Sequence, residues 1–156
     1  MKIRPLEPGD VETLVDDLWF PLAREMGDLD EFNRVADDVR EDAIGYHERA
    51  LTDEERILLV AVEDGEFVGF VYAKRERAMP TFQRTYDLHV IEVYVREASR
   101  QQGIASELLA AVESWENARE CEWASLVVHV DNHAAQSLYE DHGFDVKRKF
   151  FAKRLE

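Results

Sequence analysis

Between Ile91 and Leu109 the hydrophobic period of the chain changes, and this change most limits what it can fold into. Ile91, Val93 and Val95 alternate with Glu92, Tyr94 and Arg96, the period-two pattern of a strand. After a short polar loop, Ile104, Ala105, Leu108, Leu109, Val112 and Trp115 recur at helical spacing. The junction reads Arg100-Gln101-Gln102-Gly103-Ile104-Ala105, with a glycine where the helix starts and its first N–H groups lack partners. Those N–H groups and the positive end of the helix dipole suit a phosphate, and glycine lets it reach the backbone. Ser99 and Gln102 also have capping-box spacing, so a plain capped helix start is the alternative. In that case Gly103 sits in the first turn and costs roughly 1 kcal/mol relative to alanine.

The rest of the chain arranges itself around this unit. Lys2 to Leu6 suits a short edge strand closed by Pro5 and Pro8-Gly9. Asp10 is a good cap for a helix with Val11, Leu14, Val15 and Leu18 on one face, which Pro21 should end or kink. A second helix is expected from about Asp30, through Phe32, Val35, Ala36, Val39, Ala43 and Ala50. Ile57–Val62 and Phe67–Ala73 form a hairpin on Asp64-Gly65, followed by a polar loop from Arg75 to Tyr86 and a strand from His89 to Arg96. The helix after the glycine loop should end near Glu120, with a further strand at Leu126–Val130. Strand–helix–strand units of this kind usually cross over in parallel with a right hand. Asn132 or Asp131 caps the next helix, Gly143 closes it, and Phe144–Leu155 offers one or two closing strands. The order β-α-α-β-β-β-α-β-α-β implies a single α/β domain over residues 1–156, with a mixed sheet and helices on both faces.

Two motifs resemble those of the GCN5-related N-acetyltransferase (GNAT) superfamily. Arg100, Gly103 and Ala105 fill the defined positions of its acetyl-CoA-binding motif, Q/R-x-x-G-x-G/A. Asn132, Ala135, Leu138, Tyr139, Gly143 and Phe144 match its N-x-x-A-x-x-L-Y-x-x-x-G-F segment. The resemblance covers Ile91 to Phe144 and implies the GNAT (acyl-CoA N-acyltransferase) fold, a mixed, mostly antiparallel sheet. It implies acetyl-CoA as co-substrate, bound by Val93, Tyr94, Val95, Arg100, Gln101, Gln102, Gly103, Ile104, Ala105 and Asn132. The crossover strands should splay to admit the pantetheine. The corner of the first two helices should border the acceptor site. A β-bulge is implied near Val93–Val95, where backbone N–H groups would polarise the carbonyl, although no residue there marks one.

Acetyl transfer needs a neutral amine, a polarised thioester carbonyl and a proton for the departing thiolate. Glu92 is the candidate base, working through a water. Regular alternation puts it on the same face as Val90 and Tyr94, where an unpaired acid is unusual, and a solvent-facing or arginine-paired side chain is the alternative. Tyr139 is the candidate acid, since an ordinary tyrosine holds its proton up to a pH of ~10. Its alternative is a core aromatic beside Leu138 and Ala135. His89, His129 and His133 lack metal spacing, and no metal is expected.

Composition removes other classes. With 46% hydrophobic residues the chain is globular. It has no apolar run of membrane length and no signal-like start, which points to a cytoplasmic protein without a membrane partner. Lone Cys121 excludes an internal disulfide. Thirty-four acids against 19 bases, only five of them lysine, give a formal charge of −15. This disfavours nucleic acid, and it fits either a halophilic, salt-rich cytoplasm or a site for cationic substrates. The leading reading is an acetyl-CoA-dependent N-acetyltransferase, acting by direct transfer in a ternary complex. Its acceptor would be an amine-bearing small molecule or a protein N-terminus or lysine, and a homodimer is compatible with it. The alternatives are a non-catalytic CoA-binding sensor or interaction domain, and a phosphate-binding fold unrelated to CoA.

Overall fold

Asp64 and Gly65 both adopt positive φ, 52° and 79°, the geometry of a tight hairpin turn. They join β2 (Arg56–Glu63) to β3 (Glu66–Arg77), and β4 (Tyr86–Val95) extends the meander. β1 (Lys2–Pro5) pairs antiparallel with β2, and β5 (Trp123–Ser125) pairs parallel with β4. The sheet order is β1-β2-β3-β4-β5 in this computed structural model, which describes all residues from Met1 to Glu156. The expected mixed, mostly antiparallel sheet is therefore present.

Helices cover both faces. On one face α1 (Val11–Leu14), a π-helical turn (Val15–Trp19) and α3 (Arg40–Thr52) pack Leu14, Val15, Leu18, Ala43 and Ile44 against Val60, Phe70 and Tyr72. On the other face α4 (Ile104–Glu113) packs Ile104, Leu108, Leu109 and Val112 against Val68, Val71, Val90 and Val95.

Four local readings change. The first helix does not end at Pro21. It widens into the π turn, where the Phe20 N–H bonds to the Val15 carbonyl, and continues as α2 (Phe20–Leu29) with proline in its first turn. The second helix begins at Arg40 rather than near Asp30, because Asp30 caps only a single 3₁₀ turn, Glu31–Asn33. Phe32 and Val35 are consequently exposed. α4 ends at Glu113, and a 3₁₀ segment, Glu116–Glu120, fills the rest of the expected helix. No strand forms at Leu126–Val130 or after Phe144, because these stretches find no backbone partner within the chain.

Candidate active site

β4 and β5 pair only through Asp87–His89 and Trp123–Ser125. From Val90 onward β4 has no partner on that side, so the two crossover strands part as expected of a fold that admits a ligand there. The Val95 carbonyl accepts from Arg100 Nε at 2.8 Å, outside the β3–β4 ladder, whereas the Arg96 N–H bonds to Val68 of β3. Strand alternation then turns the Val93 and Val95 amides to the open edge and the Tyr94 amide toward β3. The Tyr94 ring is buried in the helical face, with its hydroxyl 3.3 Å from Glu25.

The glycine loop ends the same gap. Gln101 (φ 63°) and Gly103 (φ 79°) are both left-handed, and Gly103 is the N-cap of α4. No side chain caps this helix, and the first intrahelical bond runs from the Glu107 N–H to the Gly103 carbonyl. The capping-box alternative is absent: Ser99 is buried and its hydroxyl accepts from Arg96 Nε at 3.0 Å. The opening N–H groups of α4 are thus free, and apart from the adjoining loop and helix backbone nothing lies within 4 Å of the point where a Gly103 Cβ would sit. A phosphate fits this cradle. Arg100 is engaged elsewhere. Its guanidinium bonds to both carboxylate oxygens of Glu25, at 2.8 and 2.9 Å, and lies over the Tyr94 ring. Gln101 and Gln102 are exposed, and Ile104 is buried, anchoring the helix start.

Glu92 keeps Tyr94 as its neighbour on one face, as regular alternation expects, but not Val90. The β3 register jumps from Tyr72↔Glu92 to Ala73↔Val90, leaving Ile91 as an extra residue. This bulge lies at Ile91, not at Val93–Val95, and it reverses the parity of the strand before it. Val90 therefore joins the α4 face, whereas Glu92 shares the α1–α3 face with Ile91 and Tyr94.

There Glu92 meets two groups that the sequence had not tied to it. Trp19 Nε1, from the π turn, donates to Oε2 at 2.9 Å. His47 of α3 is fully buried, with Nε2 2.7 Å from Oε1 and Nδ1 2.7 Å from the Ala43 carbonyl. A carbonyl only accepts, so Nδ1 carries a proton, and one further proton lies between Nε2 and Oε1. Two of the four lone-pair sites of the carboxylate are used, and the others are open to a water.

This arrangement predicts a contrast. Glu92→Gln can keep both contacts, with its carbonyl accepting from Trp19 and its amide donating to an unprotonated His47 Nε2. Glu92→Ala leaves both groups without partners, at a cost of about 1–3 kcal/mol for a buried unpaired group. Chemical denaturation should find Gln near wild type and Ala clearly weaker. Equal stability would show that the cluster does not need the carboxylate.

Tyr139 lies on the other face. α5 (His133–Asp141) packs it against the α4 cluster, edge-on to Phe144 at 6.1 Å. Desolvation alone, with no hydrogen-bonding or charged neighbour contributing, pushes its phenol up to about 12. Glu92 and Tyr139 lie on opposite faces of the sheet. Asn132 caps α5 with Oδ1 accepting from the Ala135 N–H at 3.2 Å, which leaves Nδ2 free. His129 donates from Nε2 to Asp30 at 2.8 Å and accepts the Asp131 N–H on Nδ1. The His129 hydrogen bond, with one from the Phe32 N–H, holds Asp30 below the usual carboxylate range. The pair ties the end of α2 to the stretch beyond β5.

Comparison with known proteins agrees with this geometry. A family model described as the Acetyltransferase (GNAT) family matches residues 17–144. The chain is 29% identical over 115 residues to the uncharacterized N-acetyltransferase YhfO of Bacillus subtilis (strain 168), covering 74% of this chain and 75% of that protein. A mutant BH1408 protein from Bacillus halodurans superimposes with a TM-score of 0.85 at 18% identity, over 100% of both chains. Aminoglycoside N-acetyltransferase AAC(6')-Iy in complex with CoA gives a TM-score of 0.71 at 19% identity, over 99% of both chains. At such identities the last two likenesses concern the fold. The family match, which runs from the π turn through the end of α5, shows that the chain belongs to the GNAT family, acetyltransferases that use acetyl-CoA as co-substrate.

Proposed function

We propose that this chain moves the acetyl group of acetyl-CoA directly to a primary amine in a ternary complex. The observation that carries this reading is the open edge of β4, leading to a helix with no side-chain cap whose N-cap residue is a left-handed glycine. The N–H groups from Gly103 to Ala105, with the turn at Gln101 and Gln102, would hold the pyrophosphate. The Val93 and Val95 amides would take the pantetheine arm and the thioester carbonyl, and Asn132 Nδ2 a further cofactor oxygen.

Glu92 would accept the amine proton through a water. Its contacts with Trp19 and His47 hold the carboxylate on the α1–α3 face, which supports an acceptor entering from the corner of the first helices. The amine nitrogen bonds to the acetyl carbon, the carbon–sulfur bond breaks, and Tyr139 returns a proton to the thiolate. The acceptor is a small amine, or an N-terminus or lysine of a protein. Release of free thiol from acetyl-CoA against a panel of amines and peptides tests this. A protein that binds CoA but releases no thiol with any acceptor would favour the non-catalytic sensor.

The acidity has a separate origin in this reading. Of the acids near the helix corner, Glu25, Asp30 and Glu31 are paired with Arg100, His129 and Arg154, whereas Asp28 carries no ion pair. The three paired acids are poorly disposed to draw in a cationic substrate, and we read the charge of −15, spread along the whole chain, as adaptation to a salt-rich cytoplasm. Melting temperature should rise from low to molar potassium chloride as repulsion is screened. A flat or falling curve would remove the salt-adapted reading and leave the enzyme untouched.

A further inference from the structure

The glycine loop has little backbone support of its own. The N–H groups of Gln101, Gln102 and Gly103 bond to no other backbone group. Arg100 anchors the loop from its side chain instead. Its Nε donates to the Val95 carbonyl at 2.8 Å, and one terminal nitrogen donates to both Glu25 oxygens at 2.8 and 2.9 Å. The guanidinium carbon lies 5.4 Å from the centre of the Tyr94 ring, and the Tyr94 hydroxyl donates to the same Glu25 carboxylate at 3.3 Å. Burial, with the Glu25 charge second, holds the Tyr94 phenol above the usual tyrosine value, so it keeps the proton it donates.

Glu25 belongs to α2, whose first residue follows Trp19. Among the residues of α2 only Gly27 is buried, and the packing of Phe20 and Leu22 on the core is partial. Polar contacts therefore help to set where this helix lies, as expected of an element with few buried contacts. Two of them reach β4. Trp19, just ahead of α2, bonds to Glu92 at 2.9 Å, and Glu25 accepts from Tyr94, which shares the face of Glu92. Arg100 joins the second of these contacts to the glycine loop. The contacts run without a break from the loop through Arg100, Glu25, α2 and Trp19 to the Glu92 carboxylate.

We infer, on the basis of the acetyltransferase reading, that Arg100 is a positioning residue that carries occupancy of the glycine loop through Glu25 to α2 and the Trp19–Glu92 contact. With its N–H groups held by a bound pyrophosphate, the loop gives Arg100 a fixed base. α2 then loses freedom without changing shape, which is enough to couple two sites. The base is thereby steadied before an amine is present. The coupling is reciprocal, so an acceptor that steadies α2 tightens CoA. The form of the pair supports this use. At 40% and 38% side-chain exposure it adds little to stability. A guanidinium that grips both carboxylate oxygens and also a strand carbonyl instead fixes direction, which the point charge of a lysine does not.

Hydrogen–deuterium exchange of the full chain with and without saturating CoA tests it. CoA should slow exchange in the glycine loop and also in α2, there by about fivefold, the lower end of the usual coupling between sites. In Glu25→Gln and in Arg100→Gln the loop should still respond, and the response of α2 should disappear. Glutamine is the other residue that the family's motif admits at position 100, so the cradle should survive the change. A purely structural ion pair behaves otherwise: its loss would speed α2 exchange equally with and without CoA and leave their ratio as in wild type. Should one variant fail to fold, the other decides. The CoA-induced rise in melting temperature separates the coupling from the reading beneath it. No rise in wild type would overturn both. A rise with α2 exchange unchanged, or a folded variant that keeps the wild-type ratio, would overturn the coupling alone.

Discussion

Gly103→Glu is expected to abolish the rise in melting temperature that CoA or acetyl-CoA gives the wild-type protein. A ligand at a hundred times its dissociation constant stabilises the native state by about 2.7 kcal/mol. In a domain of this size that is a shift of roughly 5–10 °C. The α4 N-terminus has no side-chain cap, so its free N–H groups and dipole are available to an anion, and a carboxylate at position 103 would occupy that place first. Backbone strain is a separate effect. At φ 79° a residue with a Cβ costs about 1–2 kcal/mol, and Gly103→Ala should show this as a lower baseline melting temperature. Measuring each variant against its own ligand-free baseline separates the two. A Glu variant that keeps the full shift would remove the glycine loop from the site.

The parts of the molecule legible in sequence are those fixed by local chemistry. Asp64-Gly65 dictates its turn whatever surrounds it, and Gly103 at a change of period announces a strand-to-helix junction. What could not be read depends on pairing between distant segments. That Val90 leaves the face shared by Glu92 and Tyr94 is set by the bulge at Ile91, a mismatch between β3 and β4 that no residue of β4 encodes alone. His47 sits four residues after Ala43 on an apolar helical face, where a lone histidine reads as core; a buried imidazole in search of an acid was the available signal. Pro21 marked a disturbance correctly, but the chain absorbed it one turn earlier, through Trp19, the residue that reaches Glu92. The expected strands at Leu126–Val130 and after Phe144 have suitable apolar content and lack only a backbone to pair with.

Tyr139→Phe is expected to keep the CoA-induced melting shift and to lower turnover by roughly 10²–10⁴-fold, the usual range for general acid–base catalysis. The structure makes this test cleaner than it is for most buried tyrosines. No hydrogen-bonding group contributes to the Tyr139 phenol, so removing the hydroxyl leaves no partner unsatisfied, and stability should change by less than about 1 kcal/mol. Burial also holds the phenol at about 12, so the acid stays protonated beyond the pH at which an ordinary tyrosine ionises. Turnover should therefore show no loss from this group near pH 10, and any such limb should lie toward 12. Stability follows the same sign. A folded-state value raised above the unfolded one stabilises the native state at lower pH, and that contribution is lost as pH rises from about 10 through 12. The Phe variant should lack this part of the alkaline loss. Glu92→Gln is the companion, with its deficit largest at low pH if other groups accept the amine proton at high pH. If both variants turn over like wild type on an acceptor found by the thiol-release panel, the cofactor cradle stands and the acid–base pair does not.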